Sequence, residues 1–152
     1  MRIAIGSDEA TAATTALIYH LNNAGHQLEL YGPVAEQVAG HKTVEVAEQV
    51  AGRVATGACD QGILFCWTGT GVCMAANKFP GVRAALCNDA QTARGARLWN
   101  DANVLCMSLR LASEALVREI ADAWFDAPFD ESERSNLDRL TRLDVTTRTP
   151  LP

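Results

Sequence analysis

Residues 62–71 read Gly62-Ile63-Leu64-Phe65-Cys66-Trp67-Thr68-Gly69-Thr70-Gly71 and continue into Val72-Cys73-Met74-Ala75-Ala76-Asn77-Lys78. Gly62 to Cys66 is apolar throughout and of strand length. A strand without polar alternation is buried on both faces, as in the centre of a parallel sheet covered by helices. Trp67 to Gly71 predicts a tight glycine-rich turn, and the residues after it predict a helix to about Asn77.

The same alternation extends in both directions. Arg2 to Ile5 reads as the first strand. Ser7 or Asp8 is positioned to cap a helix to about Asn23, stopped by Gly25. Gln27 to Tyr31 is a second strand and Gly32 to Lys42 a loop. Thr43 to Ala55 carries Val44, Ala47, Val50, Ala51 and Val54 at helical spacing, with Gly57 as its end. Downstream, Pro80-Gly81 turns the chain and Val82 to Leu86 forms strand four. Asn88 or Asp89 caps a helix to about Trp99, Asn103 to Ser108 is strand five, and Ser113 caps a helix to about Phe125. Pro128 breaks the chain, Glu131 to Leu143 forms one more helix, and residues 145–152 read as a tail. The pattern predicts one α/β domain over residues 1–144, a three-layer α/β/α Rossmann-like fold with a five-stranded parallel sheet. Ligands in such sheets bind at the carboxyl ends of the strands. The turns of interest are therefore 6–9, 66–72, 87–90 and 108–113.

Bulk properties narrow the function. The chain has 152 residues, suited to one core, with 48% hydrophobic and 20% charged residues and a net charge of −5. No basic patch suggests a nucleic-acid partner. No signal peptide is evident, and no apolar run reaches the length of about 18 that a membrane-spanning helix needs. Five cysteines, an odd number set mostly in apolar runs, argue against a disulfide framework and for the reducing cytoplasm. Their spacing matches no zinc site, and His20, His26 and His41 are scattered, so no metal is expected. A dinucleotide fingerprint is missing: Met74 stands where the third glycine would be, and Tyr31-Gly32-Pro33 stands where an acidic residue would follow strand two.

The turn at Cys66 admits two readings. Free cysteine is among the most buried residue types, so Cys66 suits a core position before a structural turn. Alternatively, glycines let backbone amides converge on an anion, and the helix dipole favours negative charge there, including a thiolate. A thiolate beside such amides can abstract a proton next to a carbonyl, and the amides can hold the resulting enediolate. Of the remaining thiols, Cys73, Cys87 and Cys106 read as packing or core, and Cys59 as loop or surface.

Several pieces resemble one family. They are Gly6-Ser7-Asp8, Cys66-x-Thr68-Gly69-x-Gly71 with Ala75-Ala76-Asn77-Lys78, Gly81-Val82-Arg83-Ala84-Ala85-Leu86, and Asn100-Asp101-Ala102-Asn103-Val104-Leu105. In this order and spacing they resemble the ribose-5-phosphate isomerase B family, which includes the galactose-6-phosphate isomerase subunits. The resemblance implies an aldose–ketose isomerase of a sugar phosphate that needs no cofactor. It also implies a homodimer or dimer of dimers with active sites shared across the dimer. By position, Cys66 resembles the proton-abstracting base and Thr68 the hydroxyl beside it. Gly69 and Gly71, with Thr70 between them, resemble the anion cradle, and Asp8 a ligand of sugar hydroxyls. Asn100, from the neighbouring subunit, resembles a contact to the reacting oxygens, and Arg110 a phosphate-binding arginine. One branch of the family places glutamate at the position of Val72; this chain resembles the cysteine branch.

The chain also departs from that pattern. Glu9 and Trp99 stand where histidines are usual, Trp67 where glycine follows the cysteine, and Thr43-Val44 where a Tyr-Pro pair is usual. The family's late phosphate arginines align with Glu133 and Leu137, with Arg134 and Arg139 near but out of register. Indole cannot act as a general acid. The resemblance implies a pentose 5-phosphate and credits the histidine at the position of Trp99 with opening the furanose ring; its loss points instead to a substrate that reacts in its open form, such as a tetrose 4-phosphate. Trp67 and Trp99 either narrow the pocket or fill an interface. Glu9 binds sugar hydroxyls or serves as a first-turn helix carboxylate, Asp8 is a ligand or an N-cap, and Arg110 holds phosphate or a structural ion pair. A sugar-phosphate-binding or regulatory subunit that has lost catalysis is the competing function.

Overall fold

The computed structural model describes residues 1–36 and 42–146. Its elements are β1 (Arg2–Ser7), α1 (Ala12–Asn23), β2 (Gln27–Tyr31), α2 (Pro33–Glu36), α3 (Thr43–Ala55), β3 (Gln61–Cys66), α4 (Thr70–Ala76), β4 (Ala84–Leu86), α5 (Ala90–Asn100), β5 (Val104–Ser108), α6 (Glu114–Phe125) and α7 (Arg134–Thr146), the last entered through a 3-10 turn at Glu131–Glu133. The five strands form one parallel sheet in the order β2-β1-β3-β5-β4. This is the α/β/α architecture the sequence predicts.

Alternate strand residues feed two cores. Ile3, Ile5, Ile63, Phe65, Leu105 and Met107 face α1, α5 and α6, whose Leu17, Ala93 and Ile120 complete that layer. The largest side chain there, Trp124, is wholly buried and donates its Nε1–H to Gln61 Oε1, so its one polar atom is satisfied. Ala4, Leu64, Cys66, Val104 and Cys106 face the other way, onto Val46, Val50 and Val54 of α3 and Val72 and Ala76 of α4. Burying each of these larger side chains contributes roughly 1.5–3 kcal/mol before chain entropy is counted. Gly6 lets α3 lie directly on β1: a Cβ there would come within 2.5 Å of Val46 Cγ1. That contact brings the first residue of α3, Thr43, to the carboxyl end of β1.

The caps follow sequence logic with one correction. Asp89 and Ser113 cap α5 and α6 by accepting from the amides of Thr92 and Leu116, as predicted. Helix α1 is capped by Thr11, in a reciprocal box with Thr14, and neither Ser7 nor Asp8 takes that role. The reason is that β1 continues through Ser7, which pairs with Phe65, and the Ser7 hydroxyl then donates to the Glu9 carbonyl at 2.6 Å. Other bounds shift as well. Residues 33–36 of the expected loop form α2, and residues 37–41 of that loop lie outside the described residues. Strand β4 begins at Ala84 because the amides of Val82 and Arg83 are taken by the Phe79 carbonyl and the Asn103 side chain. Helix α7 runs to Thr146, two residues into the stretch read as a tail; residues 147–152 lie outside the described residues. Cys59 lies in the loop between α3 and β3, as one of the two expectations had it, but it is buried against the α3 face of the sheet rather than at the surface.

Candidate active site

The strand order reverses direction between β1 and β3, and this switch point is where open parallel sheets bind ligands. Ser7 pairs with Phe65 and Cys66 with Ser108, so Asp8 emerges beside Cys66 at the same edge. The Cys66 side chain is 4% exposed and points to the α3/α4 layer. Its carbonyl accepts from Gly69 N–H at 3.2 Å and Leu109 N–H at 3.0 Å. The carbonyl of Trp67 accepts from Arg110 N–H at 3.0 Å and Ser108 Oγ–H at 2.9 Å. The turn is thus fastened to the end of β5.

Gly69 is the N-cap of α4 at φ +76°, a conformation that disfavours a side chain. Sterics add to this, because a Cβ there would sit 2.5 Å from Leu86 Cδ1 and 2.9 Å from the Met107 backbone. Its own N–H is spent within the turn. The amides left without an intrahelical acceptor are those of Thr70, Gly71 and Val72, the first three residues of α4. Above them the hydroxyls of Thr68 and Thr70 lie 2.7 Å apart, both residues exposed. A Cβ on Gly71 would lie 4.0 Å from Cys66 Sγ and 3.3 Å from Thr43 Cγ2. Thr43 in turn donates its hydroxyl to Asp8 Oδ2 at 2.9 Å. Asp8 Oδ1 is buried and has no hydrogen-bond partner among the described residues. Cys66, Gly71, Thr43 and Asp8 therefore form one continuous corner. The sequence reading counted Thr43 only as a departure from the family, and its helical register gave no sign that its hydroxyl faces β1.

The other predicted residues divide by position. Glu9 is exposed on the same loop, ahead of α1 and outside its first turn. Trp67 lies on the rim, 58% exposed. Arg110 is exposed where its backbone joins Trp67, and its guanidinium makes no ion pair among the described residues. Asn100 and Trp99 lie elsewhere. Helix α5 starts from the carboxyl edge and ends at the amino edge, about 16 Å away for a helix of this length. Asn100 there helps to line a cavity of about 410 Å³ with Asn77, Arg83, Thr141 and Asp144. Trp99 is 57% exposed, its ring lying over Gly95, where a Cβ would be 2.6 Å away. One chain does not bring Asn100 to Cys66. In α7, Leu137 is 7% exposed and anchors the helix, and Arg134 is held by Glu131 at 2.6 Å and by the Phe129 ring.

The remaining thiols differ in character. Burial pushes Cys87 up to about 12 and raises Cys106 well above the ordinary thiol range. Cys73, half-buried, is lowered to about 7, chiefly by its hydrogen bond with the Cys106 thiol. It also sits 3.5 Å from the Ala84 carbonyl and within reach of Asn77 Nδ2. Reading Cys73 as plain packing missed this. The signal available in the sequence was the Cys73/Asn77 pair, one helical turn apart on one face.

A parallel α/β/α domain whose switch point joins a strand-end thiol, a glycine turn and a carboxylate defines a class of protein: an open parallel-sheet domain with a polar corner at the carboxyl edge, where such sheets bind ligands. The chain belongs to the ribose/galactose isomerase family, whose model, described as Ribose/Galactose Isomerase, matches residues 3–143. It is similar to ribose-5-phosphate isomerase B of Escherichia coli (45% identical over 84 residues, 55% of this chain and 56% of that one). It is also similar to D-erythrulose-4-phosphate isomerase of Pectobacterium atrosepticum (42% over 86 residues, 57% of each). The chain thus spans just over half the length of these two relatives. With Ribose-5-P isomerase B of Listeria innocua it is 31% identical over 150 residues, 97% of this chain and 100% of that one. Among solved structures, ribose-5-phosphate isomerase B of Mycoplasma genitalium with bound ribulose-5-phosphate superposes with a TM-score of 0.87, at 33% identity and 97% coverage of each chain. Among the described residues no helix is long and apolar enough to cross a membrane.

Proposed function

We propose that this protein is a cofactor-independent aldose–ketose isomerase of a small sugar phosphate, working in the cytoplasm as a homodimer or dimer of dimers. The observation that carries the reading is the corner at the β1/β3 switch point, where a strand-end sulfur, an open glycine floor and a carboxylate with one unpartnered oxygen adjoin. Cys66 as thiolate takes the proton from the carbon beside the carbonyl. The electron pair moves into the carbon–carbon bond, and the carbonyl becomes an enediolate oxygen held by the amides of Thr70 and Gly71. The proton returns to the neighbouring carbon, while the hydroxyl pair Thr68/Thr70 passes the oxygen-bound proton from one oxygen to the other. Substrate and product have the same atoms and the thiolate is regenerated. Asp8 and Glu9 hold sugar hydroxyls, Arg110 takes the phosphate, Trp67 walls the pocket, and Asn100 of a second copy meets the reacting oxygens.

The substrate is a pentose 5-phosphate or a tetrose 4-phosphate, and two features favour the shorter one. Trp99 replaces a group able to open a furanose ring, and a tetrose 4-phosphate has its fourth oxygen esterified and cannot close one. A relative named D-erythrulose-4-phosphate isomerase supports the same choice. The test is isomerisation across four-, five- and six-carbon aldose and ketose phosphates, with Cys66→Ala alongside. Turnover of the tetrose phosphates above ribose 5-phosphate, lost by at least about a hundredfold in Cys66→Ala, is expected. Ribose 5-phosphate turned over as fast overturns the short-substrate choice. Binding without turnover by the unaltered protein assigns it instead as a sugar-phosphate-binding or regulatory subunit, a reading favoured by the missing histidines.

A further inference from the structure

Thr43 opens α3, a position where threonine usually turns its hydroxyl to the helix's own free amides or to solvent. Here Lys42 is the N-cap and gives no side-chain cap, and the Thr43 hydroxyl instead crosses to β1, donating to Asp8 Oδ2 at 2.9 Å. Its methyl faces α4, 3.3 Å from the position of a Gly71 Cβ. A β-branched side chain is stiff at χ1, so the rotamer that turns the methyl toward Gly71 also sets where the hydroxyl points. Asp8 is then held by one oxygen while the other, Oδ1, is buried with no partner among the described residues. An unpartnered buried carboxylate oxygen is destabilising, and a donor arriving with the substrate offsets that cost.

We infer that Thr43 is a positioning residue: it locks the Asp8 carboxylate so that Oδ1 accepts a hydroxyl of the substrate beside Cys66. The inference rests on the isomerase reading for the identity of that hydroxyl, and on geometry alone for the lock. Its consequence lies in substrate binding. A carboxylate held in one rotamer meets the sugar without losing side-chain freedom, so loss of the lock raises KM more than it lowers kcat.

The test compares Thr43→Val, which has nearly the same shape without the hydroxyl, with Thr43→Ser, which keeps the hydroxyl, on the best substrate of the sugar-phosphate panel. Thr43→Val is expected to raise KM about tenfold with kcat within about threefold, and Thr43→Ser to recover most of that loss. In an Asp8→Ala background, where the acceptor is gone, Thr43→Val should add less than about twofold, since both changes break one interaction. An unchanged KM in Thr43→Val, a Thr43→Ser as impaired as Thr43→Val, or full additivity with Asp8→Ala overturns the inference. Three-bond couplings across Cα–Cβ of Asp8, measured by NMR, give a readout free of activity. One rotamer is expected in the unaltered protein and in Thr43→Ser, and averaging in Thr43→Val. If no sugar phosphate is turned over, the isomerase reading fails, and these couplings still decide the lock: a single Asp8 rotamer in Thr43→Val sinks it.

Discussion

Gly71 has no side chain, and the space its Cβ would take lies between Cys66 Sγ, at 4.0 Å, and Thr43 Cγ2, at 3.3 Å. In Gly71→Ala the methyl meets the sulfur at ordinary contact distance and needs only a few tenths of an ångström from Thr43. Alanine also favours the helix by up to about 1 kcal/mol at such a position. The variant should therefore fold with a urea midpoint equal to or above that of the parent. In the proposed mechanism a reacting carbon rests on this floor, which the methyl would fill, so kcat/KM should fall by at least about tenfold. Full activity in a folded Gly71→Ala would place the reacting carbon elsewhere. At this scale the strand-end thiol and the glycine turn were legible, because an apolar run ending in Cys66 and followed by two glycines has few structural interpretations. Thr43 was not legible, because its importance comes from a tertiary approach: α3 settles on β1 at Gly6, and no local pattern around residue 43 records that.

At the scale of elements, sequence and structure agree where a signal is local and part where pairing decides. Asp89 and Ser113 were found because each stands directly before an amphipathic run. Ser7 carried the same cap signal, but β1 paired on through it to Phe65 and moved the start of α1 to Thr11. Asp8, freed from capping, turns to Thr43. Side chains also finish elements that backbone pairing leaves open. Asn77 accepts from Ala84 N–H at 2.8 Å and donates to Ala84 O at 2.9 Å, standing where a sixth strand would pair with the edge of β4. On the opposite edge, Arg53 of α3 forks onto Glu29 of β2 with two bonds of 2.7 Å, and Tyr31 adds a third at 2.8 Å. The Arg53 hydrogen bond, with that of Tyr31 behind it, holds Glu29 at about 2 against its usual 4.5. A carboxylate depressed in the folded state contributes stability that is complete above its unfolded value and is lost as pH falls through the folded one. The pair should therefore weaken the fold progressively from about pH 4.5 down to about 2. Glu29→Gln should be less stable than the parent near neutrality and less sensitive to acid across that window, by urea midpoints at stepped pH. The pair is a third or more exposed, so the effect is modest. Parallel pH curves for both proteins would remove Glu29 from the account of acid sensitivity.

For the molecule as a whole, the sheet fixes where the proposed site is complete. Cys66 ends β3 at the carboxyl edge, and Asn100 ends α5 at the amino edge, held there by Asp101. That residue adopts φ +44° and is gripped by Arg83 at 2.9 Å and Arg97 at 3.0 Å. Among the described residues β3, α5 and β5 are packed parts of one core, which keeps the two edges of one chain apart. If both residues serve one reaction, they come from two copies. The exposure of Trp67 and Trp99, each more than half open in the single chain, fits surfaces that a second copy covers. Arithmetic then separates a shared site from a self-contained one. Cys66→Ala and Asn100→Ala should each be nearly inactive as pure proteins. In a mixed dimer, both substitutions fall in one site and the other site is intact. Equal amounts exchanged to a statistical mixture make about half the dimers mixed, each with one working site, and should recover about a quarter of the parent activity. Recovery should appear only after subunit exchange, for instance on refolding together, and not on simple mixing of stable dimers. If co-refolded protein, shown by mass to contain mixed dimers, stays as inactive as its parents, Cys66 and Asn100 do not meet across subunits. Asn100 would then act where the structure puts it, in the cavity beside α7.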